Sequence, residues 1–171
     1  MGAFDEDYHY FAQMEAALNA LVGQVCWSVL VADDYTGSIT LSLGERLARK
    51  TLLESSRLTP EQQQFTGAYE LDVADCCWRL DAPNSIITSW TDHGDIKRQT
   101  LAYLVGQPIV AWEITWPGLD LTVHFAEQMV LRLFCDQTDP VEGGENYTLF
   151  SPELAFRVGR RSLLDAFPRS F

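Results

Sequence analysis

The feature that most constrains the fold of this chain is a tetrapeptide that occurs twice. Leu21-Val22-Gly23-Gln24 recurs letter for letter as Leu104-Val105-Gly106-Gln107, 83 positions further along the chain. A helical pattern that ends in leucine precedes each copy, and an apolar run with the character of a strand follows it. Because similarity at a fixed spacing is typical of a duplicated unit, the tetrapeptide predicts two copies of one αβ element.

Two further pairs of segments match in the same order along the chain. The first pair is a run of alternating apolar residues, and the second pair has the pattern aromatic-x-Leu-x-x-Pro. The matched segments are 39–43 with 121–125, when the second turn is taken as one residue shorter, and 78–83 with 147–152.

These matches predict an α+β fold made of two tandem αβ repeats, with mostly antiparallel strands and with helices packed on the sheet. The repeats cover about residues 5–91 and 92–160, in a single domain of residues 1–171 with a C-terminal tail at 161–171. Arg160 and Arg161, where this tail begins, form the one basic patch of the chain. We expect the tail to dock across the sheet or to pair with the acidic N-terminus.

Hydrophobic periodicity and capping residues predict the separate elements. We expect one helix over 5–22, capped by Asp5 or Asp7, and a second over 96–105, capped by Asp95. Thr59 followed by Pro60 predicts a further helix start inside the insertion-like region at 44–70. The predicted strands are 25–32, 38–43, 71–80, 85–90, 108–115, 119–125, 129–135, 147–150 and 154–158.

Composition limits the class of protein. The chain has 171 residues, of which 47% are hydrophobic and 12% aromatic, and this is enough apolar material to bury a sizeable core. No apolar run approaches the roughly 20 residues that cross a bilayer, and the acidic N-terminus lacks the pattern of a signal peptide. We therefore expect a cytoplasmic protein without a membrane partner.

The net charge of −12 restricts the partners that the chain attracts. Such a charge repels nucleic acid and favours a basic protein as partner. The simpler interpretation is that the acidity only keeps the protein soluble. Edge strands of a sheet also allow the chain to form a homodimer.

Few residues suggest chemistry. The sequence contains no nucleophile elbow, phosphate-binding loop or zinc-protease motif, and it predicts neither a cofactor nor a metal site. Asp92, His93 and Asp95 form a group at the junction of the repeats that suggests a base or a ligand, although a solvated turn is the simpler interpretation. His124 on the polar face of a strand and Trp116 in a turn complete the candidate positions.

The cysteines do not add to these candidates. Cys26, Cys76, Cys77 and Cys135 form no C-x-x-C pair, and without a secretory signal they do not predict disulfides. Cys26 lies inside an apolar run, where we expect it to act as a small hydrophobic residue.

Three sequence features resemble a group of small uncharacterised bacterial proteins. They are Gly-Gln followed by a strand, a hairpin of alternating apolar residues, and Trp78-Arg79-Leu80 before a turn. The resemblance covers about residues 21–91 and 104–158, and Gly44-Glu45 replaces a fuller glycine-containing turn. Some of these bacterial proteins are immunity proteins of polymorphic toxin systems, so the resemblance implies a non-enzymatic protein that binds a toxin.

Three functions stay open at this point. The first is an acidic interaction protein of the immunity type, which binds a basic partner such as a nuclease toxin. The second is an enzyme with a site between the repeats, which requires His93 or His124 to meet carboxylates in a cleft. The third is a small-ligand-binding protein that uses Trp27, Trp112 and Trp116, although packing in the core is the simpler interpretation of these residues.

Overall fold

The structure is a computed structural model that describes the backbone of residues 3–138 and 144–171 and the side chains of residues 9–138 and 144–171. Its helices are α1 (Ala3–Leu21), α2 (Pro60–Gln64) and α3 (Gly94–Leu101), and a short 3₁₀ turn at Ala102–Leu104 continues α3. Its strands are β1 (Cys26–Val31), β2 (Ile39–Ala48), β3 (Phe65–Val73), β4 (Cys77–Ala82), β5 (Ser85–Ser89), β6 (Ile109–Thr115), β7 (Asp120–Phe125), β8 (Val130–Phe134), β9 (Glu145–Phe150), β10 (Leu154–Gly159) and β11 (Leu164–Pro168).

The strands form two antiparallel sheets, which confirms the predicted α+β class. The larger sheet has the order β1-β2-β3-β9-β10-β11, and the smaller has the order β5-β4-β8-β7-β6. Each sheet therefore combines strands from the first and the second half of the chain. Each main helix contacts edge strands of both sheets: α1 contacts β6 and β11, and α3 contacts β1 and β5.

One continuous core lies under both sheets, because strand residues alternate between a buried and a wetter face. The alternating runs noted in the sequence supply its centre, and Ile39, Leu41, Leu121 and Val123 are all at most 1% exposed. Trp78 and Tyr147 are fully buried, and each lies beside the turn of a hairpin. Their side chains donate hydrogen bonds to two backbone carbonyls, that of Gly37 and that of Leu119 respectively.

The two tetrapeptides lie against each other. Gly23 and Gly106 follow α1 and the turn after α3, with φ angles of +90° and +89° that glycine adopts without strain. Four backbone hydrogen bonds join the segments that contain them. These bonds run from Gly23 N–H to Ile109 O (2.8 Å), Ile109 N–H to Gln24 O (3.0 Å), Gly106 N–H to Cys26 O (2.7 Å) and Cys26 N–H to Gln107 O (3.0 Å).

The single strand predicted over 71–80 is wrong. The chain leaves the larger sheet after β3 and enters the smaller sheet at β4, so residues 74–76 form the crossing. At this point the backbone N–H groups of Ala74 and Asp75 donate to the backbone carbonyls of Asn146 and Glu145 respectively. Both parts alternate in the same way, and only the tertiary pairing separates them.

The capping predictions have different outcomes. Thr59 and Pro60 begin α2 as predicted, and Thr59 and Gln62 exchange hydrogen bonds as a capping box. Asp95 is not the N-cap of α3, because the helix begins at Gly94 and His93 occupies the capping position. The prediction for Asp5 or Asp7 concerns side chains that lie outside the described residues.

The tail also differs from expectation. Residues 164–168 form β11, which pairs with β10 and extends the larger sheet instead of crossing it. Among the described residues, no helix is both long and apolar enough to cross a membrane.

Candidate functional site

A cleft of about 440 Å³ runs along the outer edge of β1. Six consecutive residues, 27–32, line it, so the cleft follows the strand beyond Cys26, where Gln107 closes the edge. The segment 55–62 forms one wall, and α3 with its following turn forms the other. The cleft thus lies between residues of the first half of the chain and the first helix of the second half.

The first wall is fixed by polar contacts of α2. Gln62 donates from its amide to the hydroxyl of Ser28 at 3.0 Å. Arg46 of β2 pairs with Glu61 at 2.5 Å, and its guanidinium lies 4.8 Å from the centroid of the Trp27 ring. The capping box at Thr59 therefore positions a helix that holds the segment against β1.

The second wall is fixed by the packing of α3 on the turn between β1 and β2. A Cβ atom at Gly94 would collide with Asp34, so only glycine permits this approach. Arg98 pairs with Asp34, and the ammonium of the buried Lys97 donates to the carbonyl of Thr36 at 2.6 Å. Burial lowers the pKa of Lys97, and the charges of nearby aspartates, Asp33 and Asp92 foremost, oppose that effect.

The charges in the cleft have the opposite sign to the whole chain. Its lining contains Arg57 and Arg98 but no aspartate or glutamate, although the net charge of the chain is −12. Asp34 already pairs with Arg98, whereas the guanidinium of Arg57 makes no hydrogen bond or ion pair with any described residue. The indole Nε1–H of Trp27 is buried and has no acceptor in the described part of the chain.

Asp92 and His93 have structural roles in the loop before α3. Asp92 accepts hydrogen bonds from the Thr88 hydroxyl at 2.8 Å and from the Ser89 backbone at 3.1 Å. His93 caps α3, and its Nδ1 accepts from the Asp95 backbone at 3.4 Å. Asp95 itself is 84% exposed. The three residues are neighbours, but none of them lines the cleft.

His124 and Trp116 lie elsewhere. His124 is on β7, with its Nε2 3.5 Å from the carboxylate of Glu113 on β6. The Trp116 ring packs edge-on against Phe11 of α1, with the ring centroids 4.8 Å apart. The indole of Trp112 donates to the side chain of Asn19 at 3.2 Å. Of the three candidate tryptophans, only Trp27 lines the cleft.

The cysteine thiols are poor nucleophiles at neutral pH. Burial raises the pKa of Cys26 and of Cys135 to about 12, and the pKa of Cys76 still further. Burial and a hydrogen bond to Asp136 raise the pKa of Cys77 to about 11. No three His, Cys, Asp or Glu side chains in residues 9–138 and 144–171 are placed to hold a metal ion.

Sequence reasoning named Trp27 but missed Arg57 and Arg98. The only available signal was the insertion-like region, because loops on a rigid scaffold often carry function. The described structure defines an α+β protein with two antiparallel sheets and a cleft at one sheet edge. Comparison with protein-family models, with curated proteins and with solved structures gives no match.

Proposed function

We propose that this chain is a non-enzymatic interaction protein of the immunity type, whose acidic surface binds a basic partner protein. One observation carries the proposal: Glu70 and Asp72 of β3 and Glu145 of β9 form an acidic group on neighbouring strands of the larger sheet, where Glu145 accepts from the hydroxyl of Thr148, the residue opposite Asp72. Burial raises the pKa of Asp72, and the negative charges of Glu145 and Glu70 raise it further. A cation from a partner would relieve this repulsion.

The chain itself provides an example of such a contact. Arg169 follows β11, and its guanidinium donates to the carbonyls of Ala68 (2.7 Å), Gly67 (2.8 Å) and Ser151 (3.1 Å). The Glu70 carboxylate lies 3.7 Å from the same guanidinium, whose side chain is only 3% exposed. The edge of this acidic group therefore already accommodates one arginine, which supports the proposal that it receives further basic side chains.

The test is capture of a basic protein from the lysate of the source cell at low salt. We expect one basic partner that is released as the salt concentration rises, because exposed charge pairs are screened by salt. The variant Asp72→Asn combined with Glu145→Gln should reduce capture at least tenfold. The matched control removes two exposed carboxylates elsewhere, Glu113→Gln with Glu127→Gln, and should retain capture.

Two results would contradict this function. Failure to capture any basic protein at low salt would remove the basis for the proposal. Equal loss in both double variants would mean that net charge alone, and not the group on the larger sheet, attracts the partner.

We also propose that the chain arose by duplication of one αβ unit, with the final hairpins exchanged between the sheets. Support comes from the strand registers. The spacing of the tetrapeptides equates Val29 with Trp112, and the matched alternating runs equate Leu41 with Val123. In the structure Val29 pairs with Leu41, and Trp112 pairs with Val123 in the same way. Trp78 and Tyr147 are also equated by the alignment, and both donate to a hairpin turn.

A second candidate function is binding of a small ligand between the two halves of the chain. The cleft along β1 favours it, because its walls come from both halves and its volume is typical of a ligand site. An enzyme at this place lacks support from the predicted histidines, since neither His93 nor His124 lines the cleft.

A further inference from the structure

We infer that the cleft along β1 binds an extended peptide segment, which joins the larger sheet as an additional strand and places a carboxylate against Arg57. This inference does not depend on the proposed function, because the cleft lies on β1 and is lined by different residues from the acidic group. It rests on the free strand edge, the walls beside it and the unpaired guanidinium of Arg57.

The backbone edge of β1 is open inside the cleft. The backbone N–H of Ala32, directly after β1, donates to the carbonyl of Ser38, directly before β2, at 3.1 Å. The backbone groups of Ala32 therefore point toward β2. Hydrogen-bonding direction alternates along an antiparallel strand, and Val29 and Val31 therefore direct their N–H and C=O groups into the cleft. No described strand pairs with β1 on that side.

The sequence of β1 lacks the usual protection of a free edge. Solvent-exposed edges normally carry lysine, proline or inward-facing charges that prevent pairing with another chain. Strand β1 is Cys-Trp-Ser-Val-Leu-Val and has neither charge nor proline. The opposite edge of the same sheet, β11, ends in Pro168 and carries Asp165. An uncharged edge inside a cleft is suited to accept an extended segment.

The walls and donors indicate the chemistry of this segment. Ala102 and the half-exposed Val105, in the turn after α3, line the cleft opposite the strand, which suits apolar residues on the incoming segment. Arg57 offers an unpaired guanidinium, which prefers a carboxylate. The occupant is thus an apolar, extended peptide with one acidic group.

To test this, random decapeptides displayed on phage are selected for binding to the full-length protein. A selected peptide is then synthesised and its affinity for the protein is measured. We expect β-branched or aromatic residues together with Asp, Glu or a free C-terminus. Arg57→Glu should weaken binding at least tenfold. Lys50→Glu makes the same change of charge at an exposed residue outside the cleft and should change binding less than twofold. Both variants should keep the melting temperature of the parent.

Amide hydrogen exchange measured by NMR tests the strand addition itself. The bound peptide should slow exchange of the Val29 and Val31 amides at least tenfold, while the Leu30 amide, which faces β2, should change little. Unchanged exchange at Val29 and Val31 would overturn the inference, as would equal binding to the Arg57→Glu variant. Three other results would also overturn it. The selection could yield no peptide, or the protein could bind only free small carboxylates. A second copy of the chain could also protect these amides when no peptide is present.

Discussion

At the scale of single residues, the surroundings of Asp72 disfavour the charged form of its carboxyl. It is half-buried beside two other carboxylates, and the Thr40 hydroxyl, at 2.8 Å, is its one hydrogen-bond donor among the described residues. Burial is the largest cause of its raised pKa. A carboxyl with a raised pKa in the folded state stabilises the fold below its unfolded pKa of about 3.9, and this contribution is lost as the pH rises through the folded value.

Replacing this carboxylate should therefore stabilise the folded protein at neutral pH. We expect Asp72→Asn to raise the melting temperature at pH 7, because the amide keeps an acceptor for Thr40 without the charge. The gain should disappear below about pH 4, where the parent carboxyl is also neutral. Thermal unfolding from pH 3 to pH 8 measures both effects, and a lower melting temperature at pH 7 would contradict the assignment.

At the scale of elements, one carboxylate bridges two strands of the smaller sheet. Arg79 on β4 and Arg132 on β8 are directly opposite each other, an arrangement that is unfavourable for like charges. Asp81 accepts from both, at 2.7 Å and 2.9 Å, and is only 16% exposed. Burial acts against ionisation, yet the hydrogen bonds from Arg79 and Arg132 hold the pKa of Asp81 below its usual value.

Removing this bridge should destabilise the sheet. We expect Asp81→Asn to lower the free energy of unfolding by about 1–3 kcal/mol, as for a buried hydrogen bond to a charged group. Asp165→Asn removes a carboxylate from the exposed Arg157–Asp165 pair and should change it by at most about 1 kcal/mol. Urea unfolding at pH 7 measures the two variants, and equal effects would show that Asp81 does not bridge the strands. The stabilising effect of Asp81 should be lost on acidification through its lowered pKa.

The elements were more predictable from sequence than the cleft. Alternation identified the core strands, and Thr59-Pro60 identified α2, because these signals are local. The strand predicted at 71–80 was wrong, since the change of sheet depends on pairing with distant β8 and β9. The cleft depends on the approach of α3 to β1, and Arg57 lies in a segment without periodicity. Neither feature has a signal within a short window of sequence.

At the scale of the whole molecule, the two halves of the chain complete each other's sheets. Strand β3 of the first half pairs with β9 of the second, and β8 of the second half pairs with β4 of the first. Neither half contains all the strands of either sheet. The core is also shared, because Trp78 and Tyr147 belong to different halves and to the same buried cluster.

Separate halves should therefore fold only together. We expect fragments 1–91 and 92–171 to lack cooperative thermal unfolding when alone and to regain it when mixed, with a single transition. Circular dichroism and size-exclusion chromatography of each fragment and of the mixture measure this. Cooperative unfolding of the fragment 1–91 alone would mean that its sheet does not require β9, and would contradict the proposed exchange of hairpins.

The pairing between the two halves also has a consequence for synthesis. A ribosome releases the N-terminal end first, so β3 and β4 emerge well before their partners β9 and β8. At about 5–20 residues per second, the delay until β9 is made is on the order of several seconds. During translation, the edges of β3 and β4 stay unpaired until β9 and β8 are made. These edges are therefore the surfaces that a ribosome-associated chaperone would have to shield from other nascent chains.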